Sequence, residues 1–307
     1  MKRFVVARNF IGSKDELTIT EQSYNSAEAA LTALSEIVLL EERFDSLTSN
    51  FLDFEQAMMA KLLEFNYVGI GDGMNHMDWR RLLNRLLTNT MSAAKGFVDH
   101  LPRTCNIVFG RQDDRGQKCM TDLRNSYDNT LGYRIFEALR NHSQHFGFPI
   151  HAVSYGTHMD GDFPKLQARH TISPLVDVEV LKLDPAFKKQ TLKELEAIGK
   201  KIDLKSHLRD YVGELAKAHY RFRELAAPVL EKSGRLLDDL VDQYRAEFPE
   251  ERADTGLYVV SIDDAQWVKQ IPLLTGMRGY GEYLAKSNLH FDHAAVGGFL
   301  ATAKGCA

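Results

Sequence analysis

Residues 26–65 read SAEAALTALSEIVLLEERFDSLTSNFLDFEQAMMAKLLEF, forty residues with neither glycine nor proline. Leu31, Leu34, Val38, Phe44, Leu47, Phe51, Phe54, Met58, Leu62 and Phe65 recur mostly three to four apart, the period of a helix that buries one stripe. The stretch predicts one very long helix, or two broken near Ser46-Leu47-Thr48-Ser49-Asn50, and it makes the chain mainly α. On its N-terminal side, Arg3 to Phe10 and Glu16 to Thr20 are rich in Val, Ile, Phe and Thr around Ile11-Gly12-Ser13-Lys14-Asp15, which predicts a short β-hairpin. On its C-terminal side, Gly69-Ile70-Gly71-Asp72-Gly73 leads to a second helix marked by Trp79, Leu82, Leu83, Leu86, Met91 and Phe97, expected to end before Pro102. A third helix is expected from about Thr121 to Phe146, stopped by Gly147-Phe148-Pro149.

Past Pro149 the pattern changes. His151 to Asp184 alternates β-branched residues, as in Val176-Asp177-Val178-Glu179-Val180, and reads as loop with one or two strands. Helices are then expected from Asp184-Pro185 to Gly199, from Leu204 to Ala227 and from Pro228 to Phe248, with Tyr258 to Ile262 as a closing strand. The fold class is therefore a helical bundle with small β additions at the N-terminus and after residue 150, followed by a second helical part. The expected division is 1–150 and 151–307, the latter regulating or dimerising.

The 307 residues are 44% hydrophobic and 26% charged, with 8 prolines, a globular composition that excludes collagenous and disordered classes. No window approaches the ~18 apolar residues of a membrane span, and the three cysteines, Cys105, Cys119 and Cys306, form neither a disulfide framework nor a zinc pattern. A cytoplasmic protein without membrane contact is expected. The net charge of -4 argues against indiscriminate coating of nucleic acid while leaving room for a locally basic site.

Chemistry-bearing residues crowd Tyr133-Arg134-Ile135-Phe136-Glu137-Ala138-Leu139-Arg140-Asn141-His142-Ser143-Gln144-His145-Phe146-Gly147. Glu137, Asn141 and His145 form an i, i+4, i+8 stripe with Arg140 and Gln144 as neighbours, while Phe136, Leu139, Ser143 and Phe146 lie on another side. Such a face suits RNA cleavage, in which the substrate's own 2′-hydroxyl is the nucleophile and no metal or other cofactor is required. His145 would move a proton near neutral pH. Arg140 would stabilise the phosphorane's charge with its planar fork, Asn141 would orient the phosphate or the imidazole, and Glu137 would hold the guanidinium in place. Arg81 and Arg85, clustered with Arg80, are candidate phosphate contacts. His142, His145, His151 and His158 have no carboxylate or cysteine at a recognised ligand spacing and are not read as a metal site. Gly276-Met277-Arg278-Gly279-Tyr280-Gly281 lacks the frame of a phosphate loop and reads as plain loop. Cys105 and Cys119 read as packing residues.

Arg140-Asn141-His142-Ser143-Gln144-His145 resembles the catalytic motif of the HEPN superfamily, an arginine followed after four to six residues by histidine, with a polar residue directly after the arginine. The resemblance covers about residues 26–150. It implies an all-helical, usually dimeric bundle whose paired motif helices form a composite, metal-independent endoribonuclease site. It also implies a toxin or anti-phage role, with an antitoxin or regulatory partner to hold activity in check. Arg140, Asn141 and His145 match the motif, and Glu137 matches a glutamate present upstream in some members. The rival reading is a non-catalytic helical module that binds protein or RNA.

Overall fold

The structure is a computed structural model that describes residues 2–9, 15–69, 73–161, 167–249, 256–264, 266–274 and 276–296. The expected hairpin turn at 11–14, part of the 69–73 connection and Cys306 fall outside these residues. The chain is mainly helical, about 70%, with eight α-helices and small antiparallel sheets among the described residues. In order these are β1 (Arg3–Arg8), β2 (Glu16–Ile19), α1 (Glu21–Tyr67), α2 (Gly73–Val108), α3 (Asp114–Asn129), α4 (Leu131–His145), β3 (Ala152–Asp160), β4 (Gln167–Asp177), α5 (Val178–Leu181), α6 (Lys189–Ile198), β5 (Lys201–Asp203), α7 (Leu204–Glu247), β6 (Leu257–Asp263), β7 (Gln266–Pro272) and α8 (Gly276–Ser287). A 3-10 turn, Phe291–Val296, follows. No helix among the described residues is long and apolar enough to cross a membrane.

The decisive stretch forms a single helix. Through Ser46 to Asn50 the hydroxyl of Thr48 has the Phe44 and Asp45 carbonyls and Asn288 Oδ1 within hydrogen-bond reach as acceptors for its one proton, so a residue that weakly disfavours helix is satisfied without breaking it. Two helices run further than the sequence predicts, because Pro102 lies inside α2 and Pro228 inside α7. Each proline removes one backbone donor, but Leu101, Thr104 and Cys105 around the first and Ala226 beside the second are buried, and packing of those turns carries the helices through.

The expected third helix is two. Thr130 adopts extended angles, φ -115 and ψ 113, and separates α3 from α4. Arg134 then donates to the Tyr127 and Asp128 carbonyls at the end of α3. Asp184-Pro185 does not open a helix: Asp184 closes a turn, accepting from the Ala186 N–H at 2.9 Å, and α6 starts at Lys189. The alternating run Val176 to Val180 is strand only to Asp177, whose carboxylate accepts the Glu179 N–H and starts α5. Gly276 to Gly281 is helical, not loop. There Gly281 meets Val38, which a Cβ would approach to 3.1 Å.

The chain forms two compact units. One comprises residues 1–42, 100–119 and 221–287, the other 43–99, 120–220 and 288–307. They interleave along the sequence and do not divide near residue 150. The first holds the sheet β2-β1-β6-β7, all antiparallel, with Arg3 opposite Ile262. Its core joins Phe4, Val6, Tyr24, Leu34, Tyr244 and Val259. Cys105 and Cys119 are buried there and share a hydrogen bond that, with burial, pushes the Cys105 thiol well above its ordinary value. The second unit holds the antiparallel sheet β3-β4-β5 and α4, the helix that carries the motif.

Candidate functional site

Helix α4 is fixed by its buried side. Gly132 lies so close to α7 that a Cβ would meet the His207 carbonyl oxygen at 2.3 Å, an approach that only glycine allows. Tyr133 and Phe136 pack on Tyr211 of α7, the latter stacked at 5.6 Å between ring centroids. Arg134 makes a two-pronged pair with Glu194 of α6, both bonds 3.1 Å, the geometry that gives a guanidinium-carboxylate contact its directionality.

The opposite side runs from half-buried to open. Glu137 and Arg140 are half-buried, and Asn141, Gln144 and His145 are exposed. Arg140 Nη1 donates to Asn141 Oδ1 at 3.4 Å, while its Nε is sealed from solvent without a partner. Glu137 does not hold the guanidinium as the sequence predicts. It accepts from the Tyr211 hydroxyl at 3.4 Å, and among the described residues it makes no ion pair with Arg140. The Tyr211 hydroxyl is held far above its ordinary value, first by burial and then by the Glu137 charge, with Arg140 opposing. Glu137 and Arg140 thus face a common neighbour. His145 is the last residue of α4 and stands in solvent. Gln144, one residue before it, is free to meet a ligand.

Arg81 and Arg85 do not join this face by any contact among the described residues. Arg81 pairs with Asp78 at 3.1 Å with 80% of its side chain exposed, and Arg85 is exposed. Their neighbours do reach the end of α4. Asn84 donates to the Ile150 carbonyl at 2.9 Å and accepts the Ile150 N–H at 2.8 Å, and Arg80 Nη1 donates to the His151 carbonyl at 3.2 Å. α2 therefore pins the segment leaving α4 through Arg80 and Asn84, the two positions next to the expected contacts.

The sequence missed the partner of His142. This side chain is wholly buried, and its Nδ1 lies 2.8 Å from Asp184 Oδ2. Burial pushes the Asp184 carboxyl upward, but the His142 hydrogen bond, the Ala186 N–H and the charges of His142 and His145 together bring it below its ordinary value. His151 lies beside His142, ring centroids 6.2 Å apart, and its Nδ1 accepts the Asp177 N–H at 2.9 Å. Burial, helped by the charge of His142 and Arg80 and opposed by Asp177, lowers its proton affinity. One signal was available: His142 falls among the apolar positions of α4, and a buried polar ring needs a partner. Nothing in the spacing identified Asp184, 42 residues away.

Among the described residues no group of three or more His, Cys, Asp or Glu is arranged to hold a metal. What the end of α4 offers is a half-buried guanidinium, an exposed amide in contact with it, an exposed imidazole five residues further on, and the buried pair of His142 with Asp184. No family model, curated protein or solved structure matches this chain.

Proposed function

We propose that the protein is a metal-independent endoribonuclease of the HEPN type. The observation that carries this is the open C-terminal end of α4, where Asn141, Gln144 and His145 stand in solvent and Asn141 touches the half-buried Arg140. The imidazole of His145 takes or gives a proton as the 2′-oxygen attacks phosphorus. The guanidinium of Arg140, partly desolvated, stabilises charge on the non-bridging oxygens more strongly than it would in open water. Asn141, in contact with Arg140, orients the phosphate, and the products carry 2′,3′-cyclic phosphate and 5′-hydroxyl ends. RNA is the substrate, a homodimer the working form, and a toxin or anti-phage defence role, restrained by a partner, the biological setting.

Wild-type, Arg140→Ala and His145→Ala proteins compared on structured RNA in EDTA test this. Each substitution is expected to lower cleavage by about 10²–10⁴-fold, and equal residual cleavage in all three rejects the reading. A specific observation favours a second one, a non-catalytic helical binding module. Leu52, Met59, Leu63 and Tyr67 are exposed along α1, followed by Val68, Met74 and Met77, more apolar surface than a helix facing only water usually shows. Growth arrest on overexpression, relieved by His145→Ala, speaks for the nuclease. A benign protein that co-purifies with one stoichiometric partner speaks for the module.

A further inference from the structure

We propose that His142, oriented by Asp184, is a second proton-transfer residue of the site at the end of α4, reached by RNA when the Phe146-Gly147-Phe148 strap lifts. This rests on the ribonuclease reading. It adds a second imidazole to the one that each chain presents at His145.

The geometry is that of an imidazole held for proton transfer. Asp184 Oδ2 takes Nδ1, while Asp184 Oδ1 is tied to the Ala186 N–H, so the carboxylate is itself fixed. When the ring is neutral, an ionised carboxylate on Nδ1 keeps the proton there and leaves the lone pair on Nε2. That Nε2 is buried and has no hydrogen-bond partner. A buried ring nitrogen left unpaired is uncommon and calls for an explanation.

The cover over it is slight. A Cβ at Gly147 would lie 3.8 Å from Nε2 and, apart from its chain neighbours Phe146 and Phe148, would meet no other atom of the described residues within 4 Å. The amides of Phe146 and Gly147 both donate to the His142 carbonyl. Phe146 and Phe148, on either side, are 46% and 67% exposed, and open aromatic rings stack unpaired bases. The groups facing His142 are Asp184, His145 one turn along α4, the rings of Phe146 and Phe187, and His151. Behind His151 stand Arg80 and Asp177. His142, buried, and His145, exposed, are i, i+3 on α4 and so lie within one turn of each other, and both lower the Asp184 carboxyl.

The step balances within one chain. One imidazole accepts the 2′-hydroxyl proton, the 2′-oxygen bonds to phosphorus, the bond from phosphorus to the 5′-oxygen breaks, and the other imidazolium gives its proton to the departing 5′-oxygen. Solvent exchange then restores the two rings.

Rates from pH 5 to 9 on a fluorophore-quencher RNA oligonucleotide test the assignment in wild-type, His142→Gln, Asp184→Asn and His145→Ala proteins, each checked for folding by circular dichroism. Wild type is expected to give a bell. His142→Gln should lose at least about 10²-fold and one limb of the bell, and Asp184→Asn should lose about 10–100-fold with that limb displaced. A folded His142→Gln with the wild-type rate and an intact bell overturns this inference while leaving the Arg140 and His145 reading in place. Full activity in both Arg140→Ala and His145→Ala overturns the two together. A second measurement on the unaltered protein guards against a misfolded variant: the His142 Nε2 resonance should shift when a non-cleavable 2′-deoxy oligonucleotide binds, and a resonance that stays put overturns the proposal.

Discussion

A methyl group at Gly132 would lie 2.3 Å from the His207 carbonyl oxygen and 3.1 Å from Asp210 Cβ, and neither the backbone of α7 nor that of α4 is free to yield. Gly132→Ala is expected to destabilise the protein by about 1–3 kcal/mol, measured by urea unfolding, and to lower any activity seated on α4 by moving the helix. At Asp184 the folded carboxyl sits below its ordinary value. It therefore contributes stability that is complete above the unfolded value of about 4 and is lost as pH falls through the folded one. Asp184→Asn should flatten the acid side of the stability-pH curve, and an unchanged acid limb would show that the pair with His142 is not felt in folding. At this scale the motif was legible and its support was not. Arg140, Asn141 and His145 announce themselves by spacing, whereas Tyr211, Ile150 and Asp184 meet α4 only through the tertiary fold.

Helix α1, 47 residues long, is held by ion pairs as well as by its apolar stripe. Glu41 takes Arg223 through bonds of 2.8 and 2.6 Å, and Glu55 takes Arg209 through two of 2.8 Å, each glutamate nearly removed from solvent. Stripping Arg209 from Glu55 leaves a buried carboxylate alone, and Arg209→Ala is expected to cost about 3–5 kcal/mol. Arg245→Ala, which opens an exposed pair with Asp242, should cost less than about 1 kcal/mol. Chemical denaturation of the two variants provides the comparison. The length of α1 could be read because forty residues pass without a breaker. The reach of α2 and α7 could not, since Pro102 and Pro228 signal an end that packing overrides. The gap between α3 and α4 was hidden too, because the clash that requires Gly132 exists only once α7 is in place.

At the scale of the whole chain, the two units exchange segments inside α1, α2, α3 and α7, so neither is a continuous piece of sequence. A fragment of residues 1–150 contains β1 without β6 and α4 without α7. It is expected to show little helical circular dichroism and to aggregate; a soluble fragment with native-like helix content would restore the division the sequence suggests. The apolar row on α1 bears on assembly. Leu63→Glu with Tyr67→Glu should lower the solution mass measured by light scattering if that row joins two copies, and should leave it unchanged if the row faces water.

The antiparallel pairing of Arg3 with Ile262 also constrains how the protein is made. β1 leaves the ribosome about 250 residues before β6, its partner on the side away from β2, a wait of roughly 12–50 s at ordinary translation speeds. Val5 and Val6, which end without solvent contact, lack their β6 partners Val260 and Val259 throughout that interval. Newborn copies on one messenger thus hold out the same unpaired edge of β1 to each other, and the yield of native protein should depend on chaperones that shield the β1-β2 hairpin until the last strands arrive.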